Sequence, residues 1–175
     1  PTGTFNTQDT GTYTSTYIFT DENGCIDSAF HTICVLAVPA ANFTLDNNEI
    51  CVNNTITATN TSNTLNGCGN DTYKWKVIFN NSDCSSGSGA YSYSTGSDTS
   101  SQSVSIDFTQ SGIYTIMLTA TNDCDTNSYW QTVTVVEAPQ VTITSISNSC
   151  DDAMISPTLT TNDCNGTISN YEWTF

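Results

Sequence analysis

The residues with the greatest chemical potential in this sequence are its eight cysteines. They stand at positions 25, 34, 51, 68, 84, 124, 150 and 164, and no two of them form a Cys-x-x-Cys pair. Zinc sites usually take such pairs or combine cysteine with histidine, and His31 is the only histidine in the sequence. We therefore predict disulfides rather than metal ligation, which places the chain outside the reducing cytosol.

Acidic loops are the second group with chemical potential, because Ca²⁺ prefers oxygen ligands. The loop residues are Asp21, Glu22, Asn23 and Asp27, then Asp123 with Asp125, and then Asp151 with Asp152. None of these loops has EF-hand spacing, and Asp and Asn are also ordinary turn residues. Calcium at the unit junctions is thus a hypothesis that competes with plain turns, and no other cofactor is indicated.

The sequence shows no catalytic group. A nucleophile needs a base within hydrogen-bond reach. His31 is predicted to lie in a strand with a structural or surface role, and no G-x-S-x-G motif occurs. We predict that the chain is not an enzyme.

Charge excludes several classes of partner. Only 11% of the residues are charged, and Lys74 and Lys76 are the two cations against 17 Asp plus Glu, for a net charge of −15. Such a chain repels phosphates, which excludes nucleic acid and disfavours anionic membranes. No run approaches the ~18 apolar residues of a membrane span. A hydrophobic content of 37% is enough to bury a core, which argues against disorder.

Residues 110–136 show the clearest strand pattern. Apolar side chains occupy every second position of the first half, at Tyr114, Ile116, Leu118 and Ala120. Turn residues at 122–127 precede a second run, at 129–136, that is rich in β-branched and aromatic residues. The pattern predicts a β-hairpin.

A copy of this hairpin stands near the start of the chain. Five landmarks recur: Gly11 and Gly112 are 101 residues apart, Cys25 and Cys124 are 99, Pro39 and Pro139 are 100, Cys51 and Cys150 are 99, and Trp75 and Trp173 are 98. Self-similarity at one period indicates a repeat protein. We predict that residues 1–38 are the C-terminal part of one unit, 39–138 are a complete unit and 139–175 begin a third.

The complete unit has about seven predicted strands and no helical period. Short strands are predicted at 42–45 and 55–59, and a strand around Trp75 places both lysines on the face opposite the aromatic residues. The Ser/Gly-rich segment 82–101 is a long surface loop or a weak edge strand. These features predict an all-β fold of tandem immunoglobulin-like sandwiches in an extended array, with Trp75 in the core.

The strand layout suggests partners for four cysteines. Cys51 precedes the second strand and Cys124 closes the sixth, and we place these strands side by side at one end of the sandwich, which predicts a Cys51–Cys124 disulfide. Cys68 and Cys84 flank the Trp75 strand and are predicted to pair with each other. On a loop-entropy model the two closures are worth ~4 and ~3 kcal/mol.

Spacing alone does not determine the connectivity, so these pairings are hypotheses. By the repeat, the partners of Cys150 and Cys164 lie beyond the last residue of the sequence. Cys25 pairs either with a residue before the first or with Cys34.

Several motifs of the complete unit resemble those of PKD domains. They are GIYTIMLTATN at 112–122, VTVVEAP at 133–139, YKW at 73–75, ANFT at 41–44 and NTS at 60–62. The W-x-F-G-D-G motif of that family is absent, because KVIFNN follows Trp75. The resemblance covers the central unit and parts of its flanks, and it implies an immunoglobulin-like sandwich.

Cysteine-containing PKD-like units in acidic, Thr/Asn-rich tandem are similar to the giant cell-surface adhesins of gliding bacteria, the SprB type exported by the type IX secretion system. That resemblance implies an extracellular filament on the bacterial cell surface, serving adhesion and gliding motility. It implies neighbouring repeats and a surface polysaccharide or substratum as partners. It also marks Ser28 as an O-glycosylation candidate, since D-S-A at 27–29 resembles the motif of those bacteria.

The alternative is a spacer or carbohydrate-binding accessory module of a secreted hydrolase. An aromatic strip would bind sugar in that case, and its candidates are Tyr91, Tyr93, Tyr129 and Trp130.

Overall fold

The structure, a computed structural model, describes residues 10–63, 70–80, 88–143, 159–162, 168–170, 172 and 174. Their strands are β1 Gly11–Thr20, β2 Ile26–Val35, β3 Phe43–Leu45, β4 Glu49–Cys51, β5 Asn54–Asn60, β6 Thr72–Phe79, β7 Tyr91–Tyr93, β8 Ser103–Phe108, β9 Gly112–Thr121, β10 Thr126–Val136, β11 Gln140–Ile143 and β12 Leu159–Asn162. The predicted all-β class is confirmed. No helix that could cross a membrane occurs in these ranges.

Eight of these strands, β3 to β10, form two four-stranded sheets. One sheet has the order β3-β5-β8-β7 and the other has the order β4-β10-β9-β6. Neighbours within each sheet are antiparallel except β4, which pairs parallel to the end of β10. This arrangement is the strand order of an immunoglobulin-type sandwich with its first strand split between the two sheets.

The two sheets enclose one apolar core. The first sheet contributes Phe43, Ile56, Ala58, Val104, Ile106 and Phe108, and the second contributes Trp75, Val77, Tyr114, Ile116, Leu118, Val133 and Val135. Every second residue of β9 is buried, as the apolar alternation of the sequence predicts. Burial of each large apolar side chain contributes about 1.5–3 kcal/mol, so this core holds the unit together.

Two buried aromatic side chains, those of Trp75 and Tyr114, also donate hydrogen bonds to backbone carbonyl groups. Trp75 is buried while Lys74 and Lys76 are exposed, which confirms both predicted faces of β6. The Trp75 indole N–H donates to the Ser101 carbonyl at 2.8 Å. The Tyr114 hydroxyl donates to the Gln110 carbonyl at 2.8 Å, which forms the tyrosine corner of immunoglobulin-like sandwiches.

Two short strands complete the sandwich where the sequence pattern was weak. β4 lies inside the predicted turn DNNEICVNN, and its backbone pairs with β10 from Glu49 to Cys51. β7 pairs with β8 and forms the edge of its sheet, so the edge-strand alternative for the Ser/Gly-rich segment is confirmed for Tyr91–Tyr93.

The strands outside the sandwich repeat the register of strands inside it. In the β1–β2 hairpin Gly11 opposes Val35, and in β9–β10 Gly112 opposes Val135, which are offsets of 101 and 100 residues. On the other side, β11–β12 opposes Gln140 to Asn162. The corresponding isolated bridge of the central unit joins Ala40 and Asn63, at offsets of 100 and 99 residues.

Candidate functional site

Within the described residues, the acidic loops are held by turn hydrogen bonds. The Asn122 side-chain oxygen accepts the N–H groups of Cys124 and Asp125, and Asp125 accepts the Thr126 N–H. In the equivalent turn of β1–β2, the N–H of Cys25 donates to Asp21 and lowers the pKa of that carboxyl, with a further bond from Asn23. These hydrogen bonds are those of ordinary Asx turns, which need no bound ion.

Calcium remains a hypothesis at these positions. Within the described ranges no three His, Cys, Asp or Glu side chains form a group able to hold a metal ion. Asp123 and Asp125 lie in the β9–β10 turn, whereas Asp151 and Asp152 lie outside the described residues.

The predicted Cys51–Cys124 disulfide is wrong for a single unit. Cys51 opposes Val136 at one end of β10, and Cys124 lies in the turn just before Thr126 at the other end. β10 has 11 residues, so about 33 Å separates the two cysteines, against roughly 4.4–6.8 Å between the Cα atoms of a disulfide. Both are exposed free thiols.

The other cysteine hypotheses have different outcomes. Cys25 is also an exposed free thiol, so the Cys25–Cys34 alternative is wrong. The hairpin register explains this result, because it pairs Cys34 with Thr12 at the far end of the hairpin from Cys25. Cys68, Cys84, Cys150 and Cys164 lie outside the described residues.

The outer face of the β4-β10-β9-β6 sheet carries the most distinctive surface of the central unit. Its register aligns Trp130, Met117 and Lys76 across three adjacent strands. The next row aligns Ser128, Thr119 and Lys74. Trp130 is 63% exposed, and both cations of a chain with net charge −15 lie on the same face, two strands away on β6. We call these six residues the Trp130 face.

A groove of about 490 Å³ adjoins the Trp130 face. Beyond the lysines, its walls include Tyr91, Tyr93 and Thr99. The Tyr91 hydroxyl donates to the Val77 carbonyl at 3.3 Å, and the rings of Tyr91 and Tyr93 meet edge to face with centroids 6.1 Å apart. Burial, with a smaller contribution from Tyr91, raises the pKa of Tyr93 to about 12.

The predicted aromatic strip divides between two faces. Tyr91 and Tyr93 line the groove and Trp130 lies beside it, but Tyr129 points to the opposite side of β10 and packs edge to face on Phe43, with centroids 5.4 Å apart. Lys76 and Met117 belong to the same surface, which only the strand register reveals. For the lysines, the alternation of apolar residues in β6 was enough to predict that they lie on the outer face of the sheet.

Ser28 and Phe30 occupy the corresponding face of the β1–β2 hairpin. Phe30 opposes Thr16 and is 79% exposed, and it stands 100 residues before Trp130 in the repeat. Ser28 is exposed and opposes Ile18. Glycosylation of Ser28 stays a prediction that this accessible position permits.

Comparisons with known proteins establish no family. No protein-family model matches the sequence, and no curated protein matches it. The chain is similar to a solved cohesin module from a family 33 glycoside hydrolase of Clostridium perfringens ATCC13124, at 14% identity and a TM-score of 0.33, over 59% of this chain and 100% of that chain.

It is also similar to two structures of the S-layer protein SbsC. Domains 4 and 5 of SbsC match at 16% identity and a TM-score of 0.28, over 71% of this chain and 70% of that chain. Domains 1–6 match at 15% identity and a TM-score of 0.31, over 87% of this chain and 28% of that chain. Similarities this distant carry no conclusion about function.

Proposed function

We propose that this chain is a segment of an extended tandem array of immunoglobulin-like units on a bacterial cell surface, and that its role is mechanical. The repeated strand register is the observation that supports this proposal most directly. Strands on both sides of the central sandwich reproduce its own pairings at offsets of 99 to 101 residues. Residues 1–38 and 139–175 are accordingly parts of neighbouring units.

The exposed apolar face of the β1–β2 hairpin also supports neighbouring units. Tyr17 and Phe19 are 52% and 55% exposed, although the equivalent β9 positions, Leu118 and Ala120, are buried in the central core. A complete unit covers these positions with its second sheet. We propose that the corresponding strands of the preceding unit cover Tyr17 and Phe19.

Contacts at the junction favour an array with limited bending. The Asn122 side-chain N–H donates to the Ala37 carbonyl at 2.9 Å, and the Ala41 N–H donates to the Asn127 side chain at 3.1 Å. Ala41 is 8% exposed, so the linker packs onto the unit that it enters. These contacts hold the linker, residues 36–41, and Pro39 restricts its backbone further. The angle between adjacent units is therefore limited.

An adhesin of the SprB type, serving gliding motility and exported by type IX secretion, is the specific form of this proposal. Its support is the resemblance of the repeat motifs to PKD domains and the acidic, hydroxyl-rich composition. A net charge of −15 keeps neighbouring filaments apart, since like charges repel. Ser28 glycosylation and calcium at the junctions belong to the same proposal.

Small-angle X-ray scattering tests the array. The test compares the chain with a longer version in which residues 39–138 occur twice in succession. Units stacked end to end increase the maximum dimension by about 40 Å, the length of one strand plus its linker. An unchanged maximum dimension, from units folded side by side, would overturn the proposal.

A carbohydrate-binding module is the second candidate, and the Trp130 face favours it. A flat exposed indole stacks on sugar rings as it does on other flat partners, and two adjacent lysines attract carboxylates. The matching ligand is an acidic polysaccharide such as polygalacturonate, because this face holds both cations of the chain, although the net charge of −15 opposes its approach at long range. On the same face, the hydroxyl groups of Ser128 and Thr119 are hydrogen-bonded to each other at 2.9 Å, which restricts both side chains.

Affinity electrophoresis in polygalacturonate tests the second candidate. Trp130→Ala is expected to abolish retardation, and Lys76→Gln to weaken it by at least several-fold. Thr132→Ala is the matched control, because Thr132 lies two residues along the same face of β10. If retardation is instead lost on substitution of Tyr91 and Tyr93, the binding site is the groove rather than the Trp130 face. No retardation of the unaltered chain would refute binding of this polysaccharide.

A further inference from the structure

We propose that consecutive units are joined by a disulfide between the Cys51 position of one unit and the Cys124 position of the next. This inference rests on the tandem array proposed above and adds a covalent contact between its units. It concerns a pair of positions at the two ends of each unit rather than a single thiol.

The first step is the location of the two thiols. Cys51 lies at the downstream end of the unit, which we define as the end where β10 finishes beside it at Val136. Cys124 lies at the upstream end, in the turn that binds the incoming linker. Both thiols are exposed and free, so each is available to a neighbour and neither can reach the other.

The second step is the junction itself. Asn122, two residues before Cys124, donates to the Ala37 carbonyl at 2.9 Å. Ala37 follows Leu36, which stands 100 residues before Val136, the residue that opposes Cys51. The Cys51 position of the preceding unit therefore lies beside Leu36.

Strand spacing of ~4.8 Å, Cα steps of ~3.8 Å and the Asn122–Ala37 hydrogen bond then join the two cysteine positions by a path of about 20 Å, so both lie at the same junction. The disulfide therefore requires the linker to bring the two backbones to roughly 4.4–6.8 Å between Cα atoms. Asn122 is thus the residue that holds the upstream turn against the segment leading from the preceding unit.

The third step is recurrence. Cys25 stands 99 residues before Cys124, and Cys150 stands 99 residues after Cys51. Cys25 occupies the turn of the β1–β2 hairpin and is also an exposed free thiol. The central unit carries one cysteine at each end, and each flanking part repeats one of the two positions, which is what a continuous series of links between neighbours requires. Within this chain the partners of Cys51 and Cys124 belong to units beyond its limits.

The chemistry needs an oxidant, and a small-molecule disulfide supplies it. One cysteine thiolate attacks that disulfide, forms a mixed disulfide and releases a small thiol. The second cysteine thiolate then attacks the mixed sulfur and releases the second small thiol. The two cysteines lose two electrons and two protons, and the small disulfide takes up both.

The test uses the longer chain in which residues 39–138 occur twice, oxidised with glutathione disulfide and mapped by peptide mass spectrometry without reduction. Among the peptides that contain Cys51 or Cys124, we expect one cross-linked pair, joining Cys51 of the first copy to Cys124 of the second. The outer Cys124 and the outer Cys51 have no partner in this chain, so they are expected as free thiols or as mixed disulfides with glutathione.

Two variants carry the same substitution and serve as each other's control. Cys51→Ser in the first copy is expected to abolish the cross-link, whereas Cys51→Ser in the second copy leaves it complete. Scattering from the same samples separates the two proposals. Extended particles in which all four of these cysteines are alkylated or bound to glutathione overturn the disulfide alone, and compact particles overturn the array. A cross-link between Cys51 and Cys124 of one copy overturns the disulfide proposal.

Discussion

One side chain, that of Asn122, serves two parts of the molecule at once. Its oxygen accepts the N–H groups of Cys124 and Asp125 and so closes the β9–β10 turn. Its amide N–H group donates to Ala37 and so holds the incoming linker. The two functions use different atoms of one amide, and a carboxylate can replace only the first of them.

Asn122→Asp is therefore expected to loosen the junction without opening the turn. The carboxylate keeps the acceptor for Cys124 and Asp125, but it cannot donate to the Ala37 carbonyl. Limited proteolysis within residues 36–41 should become faster by several-fold, while the urea midpoint of the central unit changes little. Asn122→Ala, which removes both functions, is the comparison and should lower the midpoint as well. Equal proteolysis of Asn122→Asp and the unaltered chain would contradict the role of this bond.

Tyr93 makes stability depend on alkaline pH. Burial raises its pKa from the ordinary value of 10.0 to about 12 in the folded chain. The stabilisation is fully present below pH 10, because both states are then protonated, and it is lost as the pH rises from about 10 through 12. We expect Tyr93→Phe to reduce the fall in urea midpoint between pH 9 and pH 11.

Tyr91→Phe is the control for this effect, since Tyr91 lies against Tyr93 and is more exposed. Burial also raises the pKa of Tyr114 and Tyr73, so part of the pH dependence remains in the Tyr93 variant. A pH dependence that is identical in Tyr93→Phe and the unaltered chain would show that Tyr93 ionises equally in both states.

At the scale of strands, the close approach of β6 and β9 depends on a glycine. β9 begins at Gly112 with a φ of +147°, a conformation that side chains disfavour, and a Cβ there would overlap the Phe79 ring at the end of β6. Gly112→Ala is expected to destabilise the unit by about 2–4 kcal/mol in urea unfolding. Gly96→Ala is the control, with a φ of +86° but no atom within 4 Å, and about 1 kcal/mol is expected. Equal losses would exclude the Phe79 contact as the cause.

Local alternation was sufficient to predict the longer strands. In β6 and β9 every second side chain is apolar, so their faces and the burial of Trp75 follow from a period of two. β4 was missed because the short apolar run 50–52 stands among turn residues, and its pairing with β10 spans more than eighty residues of sequence. Short strands held by distant partners leave no local period.

The predicted disulfide placed Cys51 and Cys124 at the same end of the unit, and this placement was wrong for a related reason. The sequence shows that Cys51 and Cys124 lie next to strands, but strand direction decides at which end each one sits. β4 runs parallel to β10 and reaches its downstream end, whereas the β9–β10 turn is at the upstream end. The row of Trp130, Met117 and Lys76 likewise depends on register, which alternation along one strand does not contain.

At the scale of the whole molecule, charge repulsion is the term that solution conditions change most readily. A net charge of −15, with two cations, opposes the compact state, and salt screens that repulsion. We therefore expect the melting temperature to rise steadily as NaCl increases from about 20 mM to about 500 mM. A melting temperature that is flat or falls would show that self-repulsion does not limit stability.

Divalent ions at matched ionic strength extend this prediction to the unit junctions. Screening alone gives MgCl₂ and CaCl₂ similar effects, because it depends on charge rather than on the size of the ion. If CaCl₂ alone gives an additional rise in melting temperature, and a chelator removes it, the chain has a site with the larger coordination shell of calcium. Asp123→Asn with Asp125→Asn then tests whether the β9–β10 turn supplies that site. An additional rise that survives both substitutions would assign the ion to other carboxylates, with Asp151 and Asp152 as the candidates at the next junction.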